Sequence, residues 1–421
     1  MQVFKFGGAS INNIERIKNT SKIISDNASQ KLLVVISAMG KTTNALEKIV
    51  DAYCDHRKED ALLLFEQVKN NHLEVVKYLL VHNWKQAEDQ LKNFFTEIEW
   101  MLHDKPVRHY DYYYDQIVCC GELFSTCIVA HYLVEQKVNV VWKDVRDIFR
   151  TDNNFRDAGV DFEFTEKNIK ENIATLFSDT DVILTQGFIG ATDENESTTL
   201  GREGSDYSAA IFANILNADG VTIWKDVPAV MNADPNKFND AVNITKLNYT
   251  EVIEMAYYGA QVIHPKTIKP LQNKNIPLYV KSFLDTSLPG TIINGEKIAN
   301  LPPVIVLKSY QVLIHFNSRD FSFIEGKPME QLQAIFKETK LQPNLMQNTA
   351  ISLICCFDGH VEKTTHIASE ASLFFDVDVE RDLSLLTIRH YNDEAVNKLT
   401  TNKQIILQQK TVETLQAVYR G

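Results

Sequence analysis

Short unbroken apolar runs, each closed by glycine or small polar residues, recur along the first two thirds of the chain. Val3–Phe6 runs into Gly7-Gly8-Ala9-Ser10, and Lys31–Ile36 into Ser37-Ala38-Met39-Gly40-Lys41-Thr42-Thr43-Asn44. Asp181–Phe188 carries Gly187 at its end, and Val221–Trp224 stops at Lys225-Asp226-Val227-Pro228. Runs of this kind, apolar without alternation, are strands buried on both faces, as in a parallel sheet. Between them the apolar period lengthens to three and four residues. Ile14, Ile17 and Ile24 follow it, as do Leu73, Val76, Leu79 and Leu80 within the long charged stretch Lys58–Leu102. Further helices are predicted from Ala45, from Gly121-Glu122 and over Tyr207–Leu216. Strands are predicted at Val138–Trp142 and Ile276–Lys281, with a polar loop at Ala191–Thr199. A turn at Ala233–Asn236 precedes a helix through Glu254, and Tyr258–Pro265 reads as a turn and a short strand. Repeated strand–loop–helix units predict an α/β doubly wound sheet, with ligands at the carboxyl ends of its strands.

Pro289-Gly290-Thr291 marks a boundary, and the pattern changes from about Asn300. Short strands are expected at Val304–Lys308, Gln311–His315, Ala350–Phe357, Phe374–Val379, Leu383–Arg389 and Lys403–Gln408. Helices at Met329–Lys337, Lys363–Glu370 and Asp393–Leu399 alternate with them. Two βαββαβ modules fit this span, which has no glycine-rich turn. A binding or assembly role suits it better than chemistry.

The first loop has the makings of an anion site. Gly7 and Gly8 allow a sharp turn and close approach of backbone to ligand. Ser10 is a good N-cap, and a helix starting there would offer unpaired N–H groups to a phosphate. Lys5 adds a point charge. The Walker pattern Gly-x4-Gly-Lys-Ser/Thr is absent, and a purely structural turn fits these residues equally well. A second glycine turn, Gly201-Arg202-Glu203-Gly204-Ser205-Asp206, opens the helix at Tyr207. Arg202 supplies a fork suited to a carboxylate, and Asp206 can orient a lysine or a metal-bound phosphate. Glu122, at a helix start, either meets a ligand or only favours the dipole.

The net charge of −12 argues against nucleic acid and anionic membrane as partners, so any anion site must be local. No signal peptide and no apolar run of about 18 residues is expected, which points to a cytoplasmic protein. The six cysteines include two adjacent pairs and no C-x-x-C, and read as buried reduced thiols. No His/Cys cluster has zinc-site spacing, and no metal ligands are expected from the chain.

Taken in order, KFGGAS at Lys5–Ser10, SAMGKTTN at Ser37–Asn44, GE at Gly121–Glu122, GREGSD at Gly201–Asp206, KDVP at Lys225–Pro228 with ADP at Ala233–Pro235, and GAQVIHP at Gly259–Pro265 resemble the aspartate kinase family. The resemblance covers essentially the whole chain. It implies an amino-acid-kinase-like (carbamate kinase-like) sandwich with a mainly parallel central sheet over residues 1–295. Paired ACT-like, ferredoxin-like modules would occupy 296–421. It also implies phosphoryl transfer from MgATP to the side-chain carboxylate of L-aspartate. An ionised carboxylate needs no general base, so catalysis would be positioning and charge neutralisation.

By the resemblance, Lys5 would meet the transferred phosphoryl oxygens and Asp206 would orient it. Gly7, Gly8, Ser10, Gly204 and Ser205 would hold phosphate. Ser37, Thr43 and Glu122 would hold the amino acid, Glu122 at its ammonium, and Arg202 would clamp its α-carboxylate. Lys225, Asp226, Met231, Asp234, Asn236 and Gln261 would face the nucleotide, with Mg²⁺ riding on ATP oxygens and water. Ala9, Glu203, Lys225, Met231, Asn236 and Gln261 depart from the usual threonine, glycine, threonine, tyrosine, arginine and lysine. A homodimer and feedback control by lysine or threonine, through loops Phe316–Asp320 and Met346–Asn348, are further implications. The open alternatives are an amino-acid kinase with another acceptor and a catalytically weak amino-acid sensor.

Overall fold

The computed structural model describes residues 1–421, and the chain divides into two compact units. The first comprises Met1–Val230, Asn243–Ile253 and Gln261–Ile298; the second comprises Met231–Val242, Glu254–Ala260 and Ala299–Gly421.

The strands of the first unit are β1 (Gln2–Phe6), β2 (Leu32–Ile36), β3 (Val140–Lys143), β4 (Val182–Gln186), β5 (Ile189–Ala191), β6 (Ser197–Thr199), β7 (Gly220–Lys225), β8 (Lys246–Asn248), β9 (Leu278–Ser282) and β10 (Thr291–Asn294). Eight of them make one sheet, ordered β8-β10-β9-β7-β1-β2-β4-β3. Every pairing is parallel except β9 with β10. β2 and β4 are buried at every position, which is why their sequences are unbroken apolar runs. Phe6 lies level with Ile36 and Trp224, and Ile36 with Gln186. The loops after β1, β2, β4 and β7 therefore leave the sheet side by side. β2 and β7 flank β1 on opposite sides, so these loops meet at a topological switch point.

Ten helices belong to this part of the chain: α1 (Ile14–Asp26), α2 (Thr42–Cys54), α3 (Lys58–Leu79), α4 (Trp84–His103), α5 (Tyr110–Val118), α6 (Cys120–Glu135), α7 (Phe162–Asn172), α8 (Gly204–Leu216), α9 (Tyr249–Tyr258) and α10 (Pro265–Gln272). The stretch expected as one helical region from Lys58 is the pair α3 and α4. Contrary to expectation, Tyr110–Glu135 is helical, long and apolar enough in composition to cross a membrane, but 83% of its apolar window is buried inside the protein. Phe124 of α6 packs edge-on against His72 of α3 and Phe95 of α4, as a core helix does.

Several expectations need correction. Ser10 does not cap a helix. It lies in a short 3₁₀ turn, Gly8–Ile11, and donates its hydroxyl to the Gly7 carbonyl at 2.6 Å. Asn13 caps α1 instead, accepting from the Arg16 N–H. The polar loop at Ala191–Thr199 is the hairpin β5–β6, whose Ser197, Thr198 and Thr199 are buried. No strand forms at 260–264; the segment is irregular and leads into α10 at Pro265.

The second unit is built on β11 (Val304–Ser318), β12 (Leu345–Asn348), β13 (Ser352–Asp358), β14 (Phe375–Arg389), β15 (Gln404–Lys410) and β16 (Thr414–Arg420), all antiparallel in the order β12-β13-β11-β14-β16-β15. Helices α11 (Lys327–Glu338), α12 (Val361–Ala371) and α13 (Asp393–Thr400) complete it. The expected pairs of short strands at 304–315 and 374–389 are two continuous 15-residue strands with register shifts at Lys308–Leu313. Their distal halves, with α11, β12, β13 and α12, form one βαββαβ module. Their proximal halves form a second with α13, β15 and β16, a ββαββ arrangement with one helix in place of the expected βαββαβ. The first module is thus nested inside the second. Separate apolar clusters support them, around Phe316, Phe336 and Phe357 in one and Leu386, Ile388 and Tyr419 in the other.

Candidate active site

The level strand ends of the first unit collect charge. Lys5 points from β1 toward the first turn of α8, where its ammonium lies 2.6 Å from Asp206 Oδ1. Both side chains are largely buried, so the pair is formed away from bulk water, where an ion pair is stronger but must be satisfied. Gly204, Ser205 and Asp206 form that helix start and are all buried. Ser37, beginning the loop after β2, donates its hydroxyl to Ser205 Oγ at 3.0 Å. The α8 N-terminus, whose Gly204 and Asp206 N–H groups already donate to the Gly201 and Glu203 carbonyls at 3.0 Å each, therefore stands beside a lysine.

Glycines let the backbones close on this point. A Cβ on Gly8 would sit 2.6 Å from the Ala38 carbonyl and 2.9 Å from that of Gly40. One on Gly187 would sit 2.6 Å from Ser205 Cβ and 2.7 Å from Val35 Cγ1. Gly8 thus locks the first loop onto the second, and Gly187 lets α8 start against the sheet. The Gly7 position faces the Lys5 ammonium at 3.4 Å.

Glu122 is 3% exposed. One carboxylate oxygen accepts the Ala38 N–H at 3.1 Å, and the other has no partner. Burial pushes its carboxyl up to about 8, against the opposing pull of the Ala38 N–H, its own N–H and the Lys5 charge. A buried carboxylate with one free oxygen is an acceptor waiting for a cation or a donor. Ser125, one helical turn on, donates to the Ser37 carbonyl at 2.8 Å and ties α6 to the same loop.

Arg202 is exposed, and its guanidinium makes no ion pair or hydrogen bond within the chain. Thr43 is half-buried at the start of α2. Gly7 and Gly8 are half-buried, whereas Ser10 is fully buried with its hydroxyl turned inward. Lys225 spends its ammonium on the Val262 carbonyl at 2.7 Å, and Asp226 and Gln261 are exposed. Met231, Asp234 and Asn236 fall in the second unit. There Asp234 caps its own turn, accepting from the Asn236 N–H at 2.9 Å and from its side-chain amide at 3.1 Å. No group of three or more His, Cys, Asp or Glu side chains is gathered as a metal site.

Two supporting residues escaped the sequence reading. Asp115 of α5 is fully buried and accepts from Thr199 Oγ1 at 2.7 Å, the Thr199 N–H at 2.8 Å and the Arg156 N–H at 3.0 Å. Burial raises its carboxyl to about 6 despite these donors. Gln186 accepts the Val145 N–H and donates to Thr126, joining β4, α6 and the loop after β3. An acid just before the apolar run Ile117–Cys120 was the only available signal for Asp115, and Gln186 reads in sequence as an ordinary strand residue.

Fold and site together define an α/β protein with a buried lysine–aspartate pair, a helix start and a half-satisfied buried carboxyl group at the switch point of its sheet. The profile of the amino acid kinase family matches residues 1–282, and the chain belongs to that family. It is 33% identical over 295 residues to the bifunctional aspartokinase/homoserine dehydrogenase 1 of Zea mays, covering 69% of this chain and 32% of the relative. The chain therefore spans about a third of the length of that relative. It is 28% identical over 396 residues to lysine-sensitive aspartokinase 3 of Escherichia coli, covering 92% of this chain and 86% of the relative. The crystal structure of E. coli aspartokinase III with lysine and aspartate superposes with a TM-score of 0.82 at 25% identity, over 99% of this chain and 95% of that one. The same enzyme with aspartate and ADP gives 0.78 at 26% identity, over 100% and 96%.

Proposed function

We propose that this chain is an aspartate kinase, transferring the γ-phosphoryl group of ATP to the side-chain carboxylate of L-aspartate. The observation that carries the reading is the convergence of the Lys5–Asp206 pair, the α8 N-terminus and the half-satisfied Glu122 at one end of one sheet. An α-amino acid needs an acceptor for its ammonium and a partner for its carboxylate. Glu122 supplies the first and the unpaired Arg202 the second. Thr43 and Ser37 border the acceptor side. The relatives solved with aspartate and ADP favour the same pair of substrates.

In the reaction, the substrate carboxylate attacks phosphorus as the bond to the ADP oxygen breaks. The charge spread over the transferred oxygens falls on Lys5, held by Asp206, and on the N–H groups of Gly7, Gly8 and Ser205. Mg²⁺ would arrive on the nucleotide oxygens, where it neutralises charge on the phosphates. Asp226 and Gln261 are assigned to the nucleotide. We assign catalysis to residues 1–295 and regulation to 296–421, the latter also making a homodimer. The buried Gln347 Oε1, which has no partner, suits a feedback amino acid near Met346 and Asn348.

One set of contacts favours a second reading, a sensor with weak turnover: the groups expected at the phosphates, Ser10 and Lys225, are spent on backbone carbonyls. Trapping the acyl phosphate with hydroxylamine, in the presence of ATP, Mg²⁺ and L-aspartate, decides between them. Aspartate-dependent product that is lost in Lys5→Ala supports the kinase. No product from folded protein with either aspartate or glutamate supports the sensor.

A further inference from the structure

The irregular segment between Gln261 and His264 is held by side chains from two other elements of the first unit. Lys225, at the end of β7, donates to the Val262 carbonyl at 2.7 Å. Glu203, on the turn that opens α8, accepts the His264 N–H at 2.8 Å. His264 in turn caps α10, its ring Nδ1 accepting the Lys266 N–H at 3.2 Å. The ion pair of Lys266 with Asp157 adds a third tie, exposed and correspondingly weak.

Glu203 adopts a left-handed backbone, φ 54° and ψ 27°. That conformation costs any residue with a Cβ, and glycine is the default there. Glu203 also brings a negative charge next to the Ser205–Asp206 cradle, where a phosphate is to bind. Both effects are unfavourable unless the carboxylate does something there. The hydrogen bond made by its side chain is with the His264 N–H.

We infer that Glu203, assisted by Lys225, is a positioning residue that straps segment 261–264 against the anion cradle, so that its main chain and Gln261 line the nucleotide side. The inference rests on the proposed kinase reading for its substrate and on the geometry alone for the strap. Local electrostatics and the strap make opposite predictions for this carboxylate. If Glu203 were only a like charge beside phosphates, removing it would tighten ATP. As a strap, removing it weakens ATP.

The test uses Glu203→Gly and Glu203→Gln in the full chain. Glycine suits the left-handed backbone, so loss of folding is not expected to cloud the result. The strap predicts an ATP KM about tenfold higher in Glu203→Gly, with aspartate KM and kcat within about twofold of wild type. Glu203→Gln keeps an acceptor oxygen and should restore the wild-type ATP KM. Hydrogen exchange at the His264 amide should quicken in Glu203→Gly and not in Glu203→Gln. An ATP KM that falls or stays unchanged in Glu203→Gly overturns the inference, as does unchanged exchange at His264. Should the wild type fail to phosphorylate aspartate, the kinase reading falls. The exchange measurement and calorimetric titration with ADP then judge the strap independently.

Discussion

The two units use their sheets in opposite ways. In the first, six of the eight strands of the main sheet point one way, so their carboxyl ends and the helix starts that follow are gathered on one edge. Lys5, Ser37, Gly187 and Lys225 become neighbours there although they are far apart in sequence. In the second, antiparallel strands send alternate loops to opposite edges, and no edge collects chemistry. Around Asn344 its polar groups instead satisfy one another. Asn344 donates to Gln311 Oε1 and Asp358 Oδ1, each at 2.9 Å, and accepts from the Lys308 ammonium at 2.7 Å. Burial pushes the Asp358 carboxyl up, but hydrogen bonds from the Gln311 and Asn344 amides and the nearby Lys308 charge hold it below its usual range. Glu122 in the first unit is the contrast: buried, half-satisfied and raised. A raised buried acid with a free oxygen is built for a ligand, and a lowered one in a closed network is built for the fold.

That contrast can be broken by mutation, most severely at Lys5. Lys5→Ala removes the charge aimed at the transferred oxygens, and kcat in the hydroxamate assay should fall by about 10²–10³ or more while the protein stays folded. A fall in stability without loss of kcat would make Lys5 a structural residue. Next in size is Arg202→Ala, which should raise aspartate KM by about 10- to 100-fold and leave ATP KM unchanged. Equal effects on both substrates would remove Arg202 from the α-carboxylate.

Glu122 gives a pH signature. Below about 8 its carboxyl holds a proton that must leave before it can take an ammonium. Aspartate KM should therefore climb as pH falls below that value, by up to about tenfold per pH unit, and Glu122→Gln should flatten the profile at a high KM. The sign for stability runs the other way. The folded chain holds this proton more tightly than the unfolded one, so stability drains as pH rises from the ordinary glutamate range to about 8. Glu122→Gln should thus have a higher Tm than wild type at alkaline pH, measured by thermal unfolding. The smallest effect on catalysis belongs to the second unit. Asn344→Ala should destabilise that unit by about 1–3 kcal/mol and change kcat by less than twofold. A large loss of kcat would mean that the network serves the reaction.

The loops of the site were legible because parallel strands announce themselves as apolar runs and their ends as glycine or serine. Glu122 was legible as a helix-start acid, but its burial was not, since the loop after β2 that meets it through the Ala38 N–H is distant in sequence. Ser10 misled because a serine after two glycines caps helices well, whereas here the chain makes a 3₁₀ turn first and Asn13 takes the cap. In the second unit, Leu345–Asn348 is a four-residue edge strand of mixed polarity and carries no readable period. The two long strands were cut in half because the exposed positions at their register shifts, Ser309-Tyr310 and Arg381-Asp382, resemble turns.

The nesting of the two modules has a consequence for synthesis. The inner module is complete once the distal half of β14, Phe375–Leu383, has left the ribosome. The outer one begins at Val304 yet cannot close until Thr414–Arg420 is made. At roughly 5–20 residues per second, its first half-strand waits several seconds for its partners. During that wait Val304–Lys308 lacks its β14 partner, and only the Ile305 N–H has a backbone acceptor already made, the Asn232 carbonyl. The order of translation therefore makes the inner module the template on which the outer one is laid.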